Sequence, residues 1–137
     1  ADSFAAYEKA KIKLEKSADA GTLHPQISHL IYLHGAQAAR ELKKWNIVDS
    51  WLAEMLKRYP ESTYKPFVLY EQAYSAQNQK QLEQAATLYR QIAEEYRNEI
   101  GARSRFMLGE LYFGERDFAR AIPEFERTMY GYGATQA

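Results

Sequence analysis

One helical pattern recurs four times along this chain of 137 residues. A large apolar or aromatic residue is followed three positions later by a small or β-branched residue, and four positions after that by a second large residue. Successive copies begin 38, 37 and 36 residues apart. A near-constant period in this range is typical of a helical solenoid, which builds an extended binding surface more often than a catalytic pocket. The copies are Tyr7–Ala10–Leu14, Trp45–Val48–Leu52, Leu82–Ala85–Tyr89 and Phe118–Ala121–Phe125.

The rest of the sequence also favours helices over strands. No stretch alternates apolar and polar residues between turn signals, as a half-buried strand would. Seven helices are predicted: the second has Pro25 in its first turn, the third ends before Pro60, and Ser62 or Thr63 caps the fourth. We therefore predict an all-α, right-handed α-solenoid of about three helical hairpins preceded by an N-terminal helix.

These helices are expected to form one domain over residues 1–137. The leading helix lies within 3–20, and the three hairpins occupy 25–60, 62–97 and 99–133. Neither end shows the polar cap that a solenoid needs, so we expect the chain to be a fragment of a longer protein.

The last predicted helix contains Pro123, which removes a backbone hydrogen bond and costs roughly 3 kcal/mol if unrelieved. We expect a kink or a loosened turn there, on the exposed side. The apolar stripe of this helix comprises Phe118, Ala121, Ile122, Phe125, Met129 and Tyr132.

Composition narrows the classes of partner and chemistry. Lysine plus arginine equals aspartate plus glutamate at 18 each, which gives no electrostatic reason to bind nucleic acid or anionic lipid. The absence of cysteine excludes disulfides and thiolate metal sites. No apolar run approaches the roughly 18 residues of a membrane-spanning helix.

The third hairpin carries the strongest family resemblance. It reads Leu108-Gly109-x-x-Tyr112 and then Phe118-x-x-Ala121-x-x-x-Phe125, a spacing that resembles the tetratricopeptide repeat (TPR) family. In that family a small residue of the first helix packs against a small residue of the second. Ala36, Ala73 and Gly109 occupy the first small position here, and Val48, Ala85 and Ala121 occupy the second.

The resemblance covers residues 28–133, with departures at Ala39 and Ala76, where the family prefers tyrosine. The aromatic-rich style of Arg58-Tyr59-Pro60 and Glu94-Glu95-Tyr96 is similar to bacterial cell-envelope TPR proteins. This similarity favours a periplasmic or cell-envelope location over a cytoplasmic one.

In the TPR family the first helix of each hairpin lines a concave groove. The resemblance therefore implies a mixed aromatic and polar strip that suits an extended or helical peptide with apolar anchors. Glu71 also falls in this strip and would repel a carboxylate, which argues against binding of chaperone tails. The implied partner-binding residues are Leu33, Gln37, Arg40, Phe67, Tyr70, Tyr74, Arg103, Phe106, Glu110 and Phe113.

Catalytic and cofactor sites are not expected. His24, His29 and His34 are five residues apart, so consecutive rings point about 140° apart around a helix and cannot converge on one metal. The pair Glu94 and Glu95 suits a solvated helix face better than acid–base catalysis. Other scattered residues carry no better signal, so we expect no enzymatic activity, no metal and no cofactor.

The sequence therefore predicts a non-enzymatic protein–protein interaction scaffold that binds a peptide or protein segment in its groove. The alternative is a structural or oligomerisation module that stacks through the ends of its solenoid. Tyr70 and Tyr74 are open between intramolecular packing and partner contact. No nucleic-acid partner and no membrane insertion are expected.

Overall fold

The described part of the chain is all-helical. The computed structural model describes the backbone of residues 2–16 and 25–136 and the side-chain burial of residues 3–16 and 26–130. These residues contain no strand, as the sequence predicts. The helices are α1 (Asp2–Lys16), α2 (Pro25–Glu41), α3 (Trp45–Arg58), α4 (Lys65–Asn78), α5 (Leu82–Glu95), α6 (Glu99–Gly114) and α7 (Phe118–Gln136).

The chain divides into two compact units, Ala1–Glu71 and Gln72–Ala137. The first unit contains α1, α2, α3 and the beginning of α4. The second contains the end of α4 together with α5, α6 and α7.

In the first unit α1 packs on α2 and α2 packs on α3. Tyr32, Leu52 and Met55 are fully buried, and the Phe4 ring lies 5.4 Å from the Trp51 ring. A Cβ atom at Gly35 would lie 2.1 Å from the Trp51 ring, so only glycine lets this indole lie against α2.

In the second unit α5 packs on α6 and α6 packs on α7. Tyr89, Ile92 and Leu108 form the fully buried centre, and the Tyr89 hydroxyl donates to the Gln77 side chain at 2.9 Å. At Gly109 a Cβ atom would lie 2.6 Å from the Phe125 ring, which explains the small residue at the α6–α7 crossing.

The turns that follow α2, α4 and α6 share one geometry that recurs at the sequence period. Lys43, Lys80 and Arg116 have φ angles of 57°, 65° and 61°. The residue after each of them donates its N–H to the carbonyl five positions back, which is the six-to-one bond of a Schellman motif. The three bonds are Lys44 to Ala39 (3.0 Å), Gln81 to Ala76 (2.8 Å) and Asp117 to Tyr112 (2.9 Å).

Burial follows the repeat as well. Each of the three predicted hairpins has two small positions, and the six residues that occupy them are all buried. The chain is thus repeat-like at the level of its turns and its packing.

Some local expectations have a different outcome. Ser62 does not cap α4, because its hydroxyl accepts the N–H of Tyr64 (3.1 Å), before the helix begins at Lys65. Helix α7 continues through Pro123, which is half-buried rather than exposed, and a kink there stays a prediction. The end of the leading helix predicted within residues 3–20, His24 and the side chain of Tyr132 lie outside the described residues.

Candidate protein-interaction surface

The second unit exposes a cluster of large apolar side chains on its last two helices. Phe113 is 55% exposed, Ile122 is 54% exposed and Met129 is 64% exposed. Two ring contacts cross between the helices, Phe106 with Phe125 at 5.5 Å and Phe113 with Phe118 at 5.2 Å. We call this surface the α6–α7 apolar face; it consists of Phe106, Phe113, Phe118, Ile122, Phe125 and Met129.

Helical spacing explains why these residues share a surface. Phe106 and Phe113 are seven residues apart on α6, so they project from one side of it. The α7 members stand at spacings of four, three and four residues and form one stripe on that helix. The absent side chain at Gly109 brings the Phe125 ring close to α6 and joins the two stripes.

Helix α7 is more exposed along its apolar stripe than α5, the equivalent helix one repeat earlier. The α5 residues that lie 36 positions before Ile122 and Met129 are Ala86 and Ala93, which are only 6% and 8% exposed. They belong to the helix on which α6 packs. Helix α7 thus has the stripe of a covered helix, yet most of that stripe is open to solvent among the described residues.

The sequence did not single out this exposure. Phe118, Ile122 and Met129 were assigned to an apolar stripe, whose usual place is against a neighbouring helix. Periodicity locates such a stripe but does not show whether another element covers it. The larger size of Ile122 and Met129, compared with Ala86 and Ala93 one repeat earlier, is the only signal that could have marked the difference.

Each helix of this face carries an exposed carboxylate, and that of Glu126 also lines a cleft with Arg97, Arg105 and Arg127. Glu110 and Glu126 are exposed and form no ion pair with any described residue. The nearby arginines are engaged instead, with Arg103 at 3.5 Å from Glu99 and Arg127 at 2.5 Å from Glu124. In the turn at the end of the face, Arg116 is next to Glu115, so these two charges offset each other.

The four predicted groove residues of α6 lie together on its accessible side. Phe106 and Phe113 belong to the α6–α7 apolar face, while Arg103 and Glu110 are exposed polar neighbours on the same helix. This arrangement combines rigid rings with charged groups, as protein-binding surfaces commonly do.

In the first unit most of the predicted groove residues are occupied within the chain. Arg40 donates to both carboxylate oxygens of Glu71 at 2.9 Å, and Gln37 donates to the same carboxylate at 3.3 Å. Leu33 is buried, so it contributes to the core rather than to an accessible surface. Phe67 remains 45% exposed.

Burial governs the electrostatics of Glu71. Its side chain is only 7% exposed, and this loss of solvent raises the pKa of the carboxyl group although Arg40 opposes the shift. Sequence reasoning treated Glu71 as a free groove carboxylate. The structure gives it a partner from α2, a contact across 31 residues that no local pattern reveals.

The two tyrosines that the sequence left open are half-buried. Tyr70 and Tyr74 both take part in interactions within the chain. Neither is an isolated surface ring, and neither belongs to the α6–α7 apolar face.

The histidines occupy different environments. His29 stacks on Tyr59 at 4.1 Å between ring centroids, and its Nδ1 lies 2.8 Å from the Ser62 hydroxyl. Burial lowers the pKa of this imidazole. His34 is exposed. No cluster of three or more potential metal-ligating side chains exists within the described ranges.

A cleft of about 930 Å³ also opens in the second unit, between the end of α5, the first turns of α6 and the middle of α7. Arg97, Arg105 and Arg127 line it together with the exposed carboxylates of Glu94 and Glu126. Its mixed and solvated charges give no reason to assign it a catalytic role.

No helix in the described part of the chain combines the length and the apolar content needed to cross a bilayer. Comparison with family models, with curated proteins and with solved structures gave no match to this chain.

Proposed function

We propose that this chain is a non-enzymatic protein–protein interaction scaffold. The observation that carries the proposal is the α6–α7 apolar face, which exposes three of its four phenylalanines together with Ile122 and Met129 at the surface of one unit. Clustered aromatic and aliphatic side chains of this kind are the usual centres of protein recognition.

The proposed architecture is a right-handed solenoid of TPR-like hairpins. The common geometry of the three hairpin turns and the buried small residues at both family positions support it. Pre-ordered helices would lose little conformational entropy when they bind a partner segment. The similarity to bacterial cell-envelope members extends the proposal to a periplasmic or cell-envelope setting.

The α6 residues Arg103, Phe106, Glu110 and Phe113 are the partner-binding residues we favour, together with Phe67 in the first unit. Gln37 and Arg40 act mainly through their contacts with Glu71, and Leu33 acts through the core.

Affinity capture from envelope and soluble fractions tests this function. The baits are the wild type, a Phe106→Ala/Phe113→Ala variant and an Ile27→Ala control, which removes an equally exposed apolar side chain from α2. We expect a protein that the wild type and the control retain and the α6 variant loses. Equal retention by all three baits would remove the α6–α7 apolar face from the proposal.

A further inference from the structure

The outer face of α1 has a chemistry complementary to that of the α6–α7 apolar face. Ala5 and Ile12 are exposed on it, and Lys9 and Lys16 lie on the same side of the helix. Positions 5, 9, 12 and 16 have the spacing of four, three and four residues that the α7 stripe has. Two helices with matching stripes can pack along their length.

The charges on this outer face have the opposite sign to those beside the α6–α7 apolar face. Lys9, Lys13 and Lys16 form no ion pair with any residue the structure describes, and among the described residues the acids beside them are Glu8 and Glu15. Lys11, on the inner side, is already paired with Glu15 at 2.6 Å.

Lysine side chains also suit an aromatic surface. Their aliphatic stems cover apolar area while the ammonium group is attracted to a ring face. This chain already uses such contacts: the Lys11 ammonium lies 5.3 Å from the Trp51 ring centre, and that of Lys44 lies 5.6 Å from Phe4. The exposed rings of Phe106, Phe113 and Phe118 offer further sites of the same kind.

We propose that the α6–α7 apolar face of one copy of this chain docks against the outer face of α1 of a second copy. Glu110 and Glu126 then meet the lysines of α1, and Ile12 packs among the exposed phenylalanines. This inference rests on the proposed interaction function and names a partner for the same surface.

The two surfaces in this contact are different, so the contact is heterologous. Each copy that uses its α6–α7 apolar face still has an unused α1, and each copy that uses α1 still has an unused apolar face. Association therefore continues into chains of copies or closes into a ring, and the smallest possible ring is a dimer in which both copies use both surfaces.

Sedimentation velocity of the 137-residue chain over a concentration series tests the contact. We expect the average sedimentation coefficient to rise with concentration in low salt, as dimers or longer assemblies form. We expect dissociation to increase in roughly 0.5 M NaCl, because the Debye length falls to a few ångströms.

Charge reversal on each side provides the specific test. Glu110→Lys/Glu126→Lys and, separately, Lys9→Glu/Lys13→Glu are each expected to weaken association at least about tenfold through like-charge repulsion. A variant with all four substitutions, or a mixture of the two double variants, should associate again. Lys57→Glu, on an exposed residue of α3 without a described ion pair, is the matched control and should associate like the wild type.

Other outcomes would overturn the inference. A wild type that remains monomeric at every concentration excludes the contact, and so does association that the reversed charges leave unchanged or that the fourfold variant fails to recover. Circular dichroism confirms that each variant is folded. If self-association is absent while Phe106→Ala/Phe113→Ala still abolishes capture of a different protein, the proposed function stands and only the identity of the partner is wrong.

Discussion

Three basic residues hold a backbone conformation that glycine usually takes at the end of a helix. Lys43, Lys80 and Arg116 all have φ near 60°. For a residue with a Cβ atom this left-handed conformation costs about 1–2 kcal/mol. Each turn therefore contains a strained residue whose replacement by glycine relieves the strain.

We expect Lys80→Gly to raise the free energy of unfolding by up to about 1 kcal/mol, because glycine adopts the conformation without a steric penalty. Urea denaturation followed by circular dichroism measures it. The neighbouring substitution Gln81→Gly is the control: Gln81 has φ −93°, so glycine there only adds freedom to the unfolded chain and should destabilise the protein. Equal effects of both variants would contradict the strain at Lys80.

The Arg40–Glu71 pair gives a second prediction. Arg40→Met leaves the buried carboxylate without its main counter-charge and should lower the free energy of unfolding at pH 7 by roughly 2 kcal/mol. This is below the 3–5 kcal/mol of a fully buried pair, because Arg40 is partly solvent-accessible. The double variant Arg40→Met/Glu71→Met should recover most of the loss, since it removes the stranded charge.

The pH dependence of this variant has a definite sign. The pKa of Glu71 is raised in the folded state, mainly by burial, so its contribution to stability is present at low pH and is lost as the pH rises through that pKa. Without Arg40 the shift grows, and Arg40→Met should regain stability relative to the wild type as the pH falls from 7 toward 4. A constant difference between the two proteins would contradict this assignment.

For His29 we expect the opposite pH dependence of the stability near neutral pH. Burial lowers the pKa of its imidazole below the unfolded value of 6.5, so the unfolded chain takes up the proton first as the pH falls. Stability from His29 is therefore complete above pH 6.5 and declines below it. In thermal melts between pH 7.5 and 5.5, His29→Gln should show a smaller loss of Tm than the wild type does.

At the scale of elements, three glycines of α6 differ in what a methyl group would meet. A Cβ atom at Gly101 would lie 1.7 Å from the Tyr96 carbonyl oxygen, and one at Gly109 would lie 2.6 Å from the Phe125 ring. At Gly114 it would meet nothing within 4 Å. A methyl group would therefore collide with a backbone atom at Gly101 and with a side chain at Gly109, and it would contact nothing at Gly114.

Alanine substitutions should therefore follow that order. Gly101→Ala forces the junction of α5 and α6 apart and is expected to cost more than the roughly 1–3 kcal/mol that overpacking costs at Gly109. Gly114→Ala should be neutral or stabilising by up to about 1 kcal/mol, because alanine favours helix. Guanidinium melts of the three variants measure the series, and a different order would show that the α6 junctions are not as close as described.

Sequence reasoning predicted most of the elements because their signals are local. Pro25 opens α2 and Pro60 follows α3, since the missing N–H and fixed φ of proline act where they stand. The conformation of the turn residues was not predicted, because no local signal marks it. Lysine at position 43 or 80 gives no sign of a left-handed conformation, which the six-to-one hydrogen bonds impose once the hairpin has closed.

At the scale of the whole molecule, the chain has no net charge to keep copies apart. Its formal net charge is +0 and its isoelectric point is near 7.1, while large apolar side chains are exposed. Solubility should therefore be lowest near pH 7 and rise on either side, because net charge opposes association. Light scattering at fixed concentration across pH 5.5–9 measures this, and a minimum far from neutrality would show that a local patch dominates.

The candidate surface was predictable only in part. The resemblance to the TPR family implied that Phe106 and Phe113 lie on the accessible side of α6, and both are exposed in the structure. It placed Leu33 and Arg40 in the same groove by analogy, whereas Leu33 is buried and Arg40 binds Glu71. The position of a residue within the repeat indicates on which side of its helix the side chain lies. Whether another part of the chain covers that side depends on residues far away in sequence.

The shared geometry of the hairpin turns has a chemical consequence for how the chain can be cut. Trypsin cleaves after lysine and arginine, and in each of the three turns the residue with the left-handed backbone is one of these and is exposed to solvent: Lys43, Lys80 and Arg116. Cleavage after these three residues separates the two helices that each turn joins and leaves both helices intact. The order in which trypsin cuts them therefore reports which turn opens first.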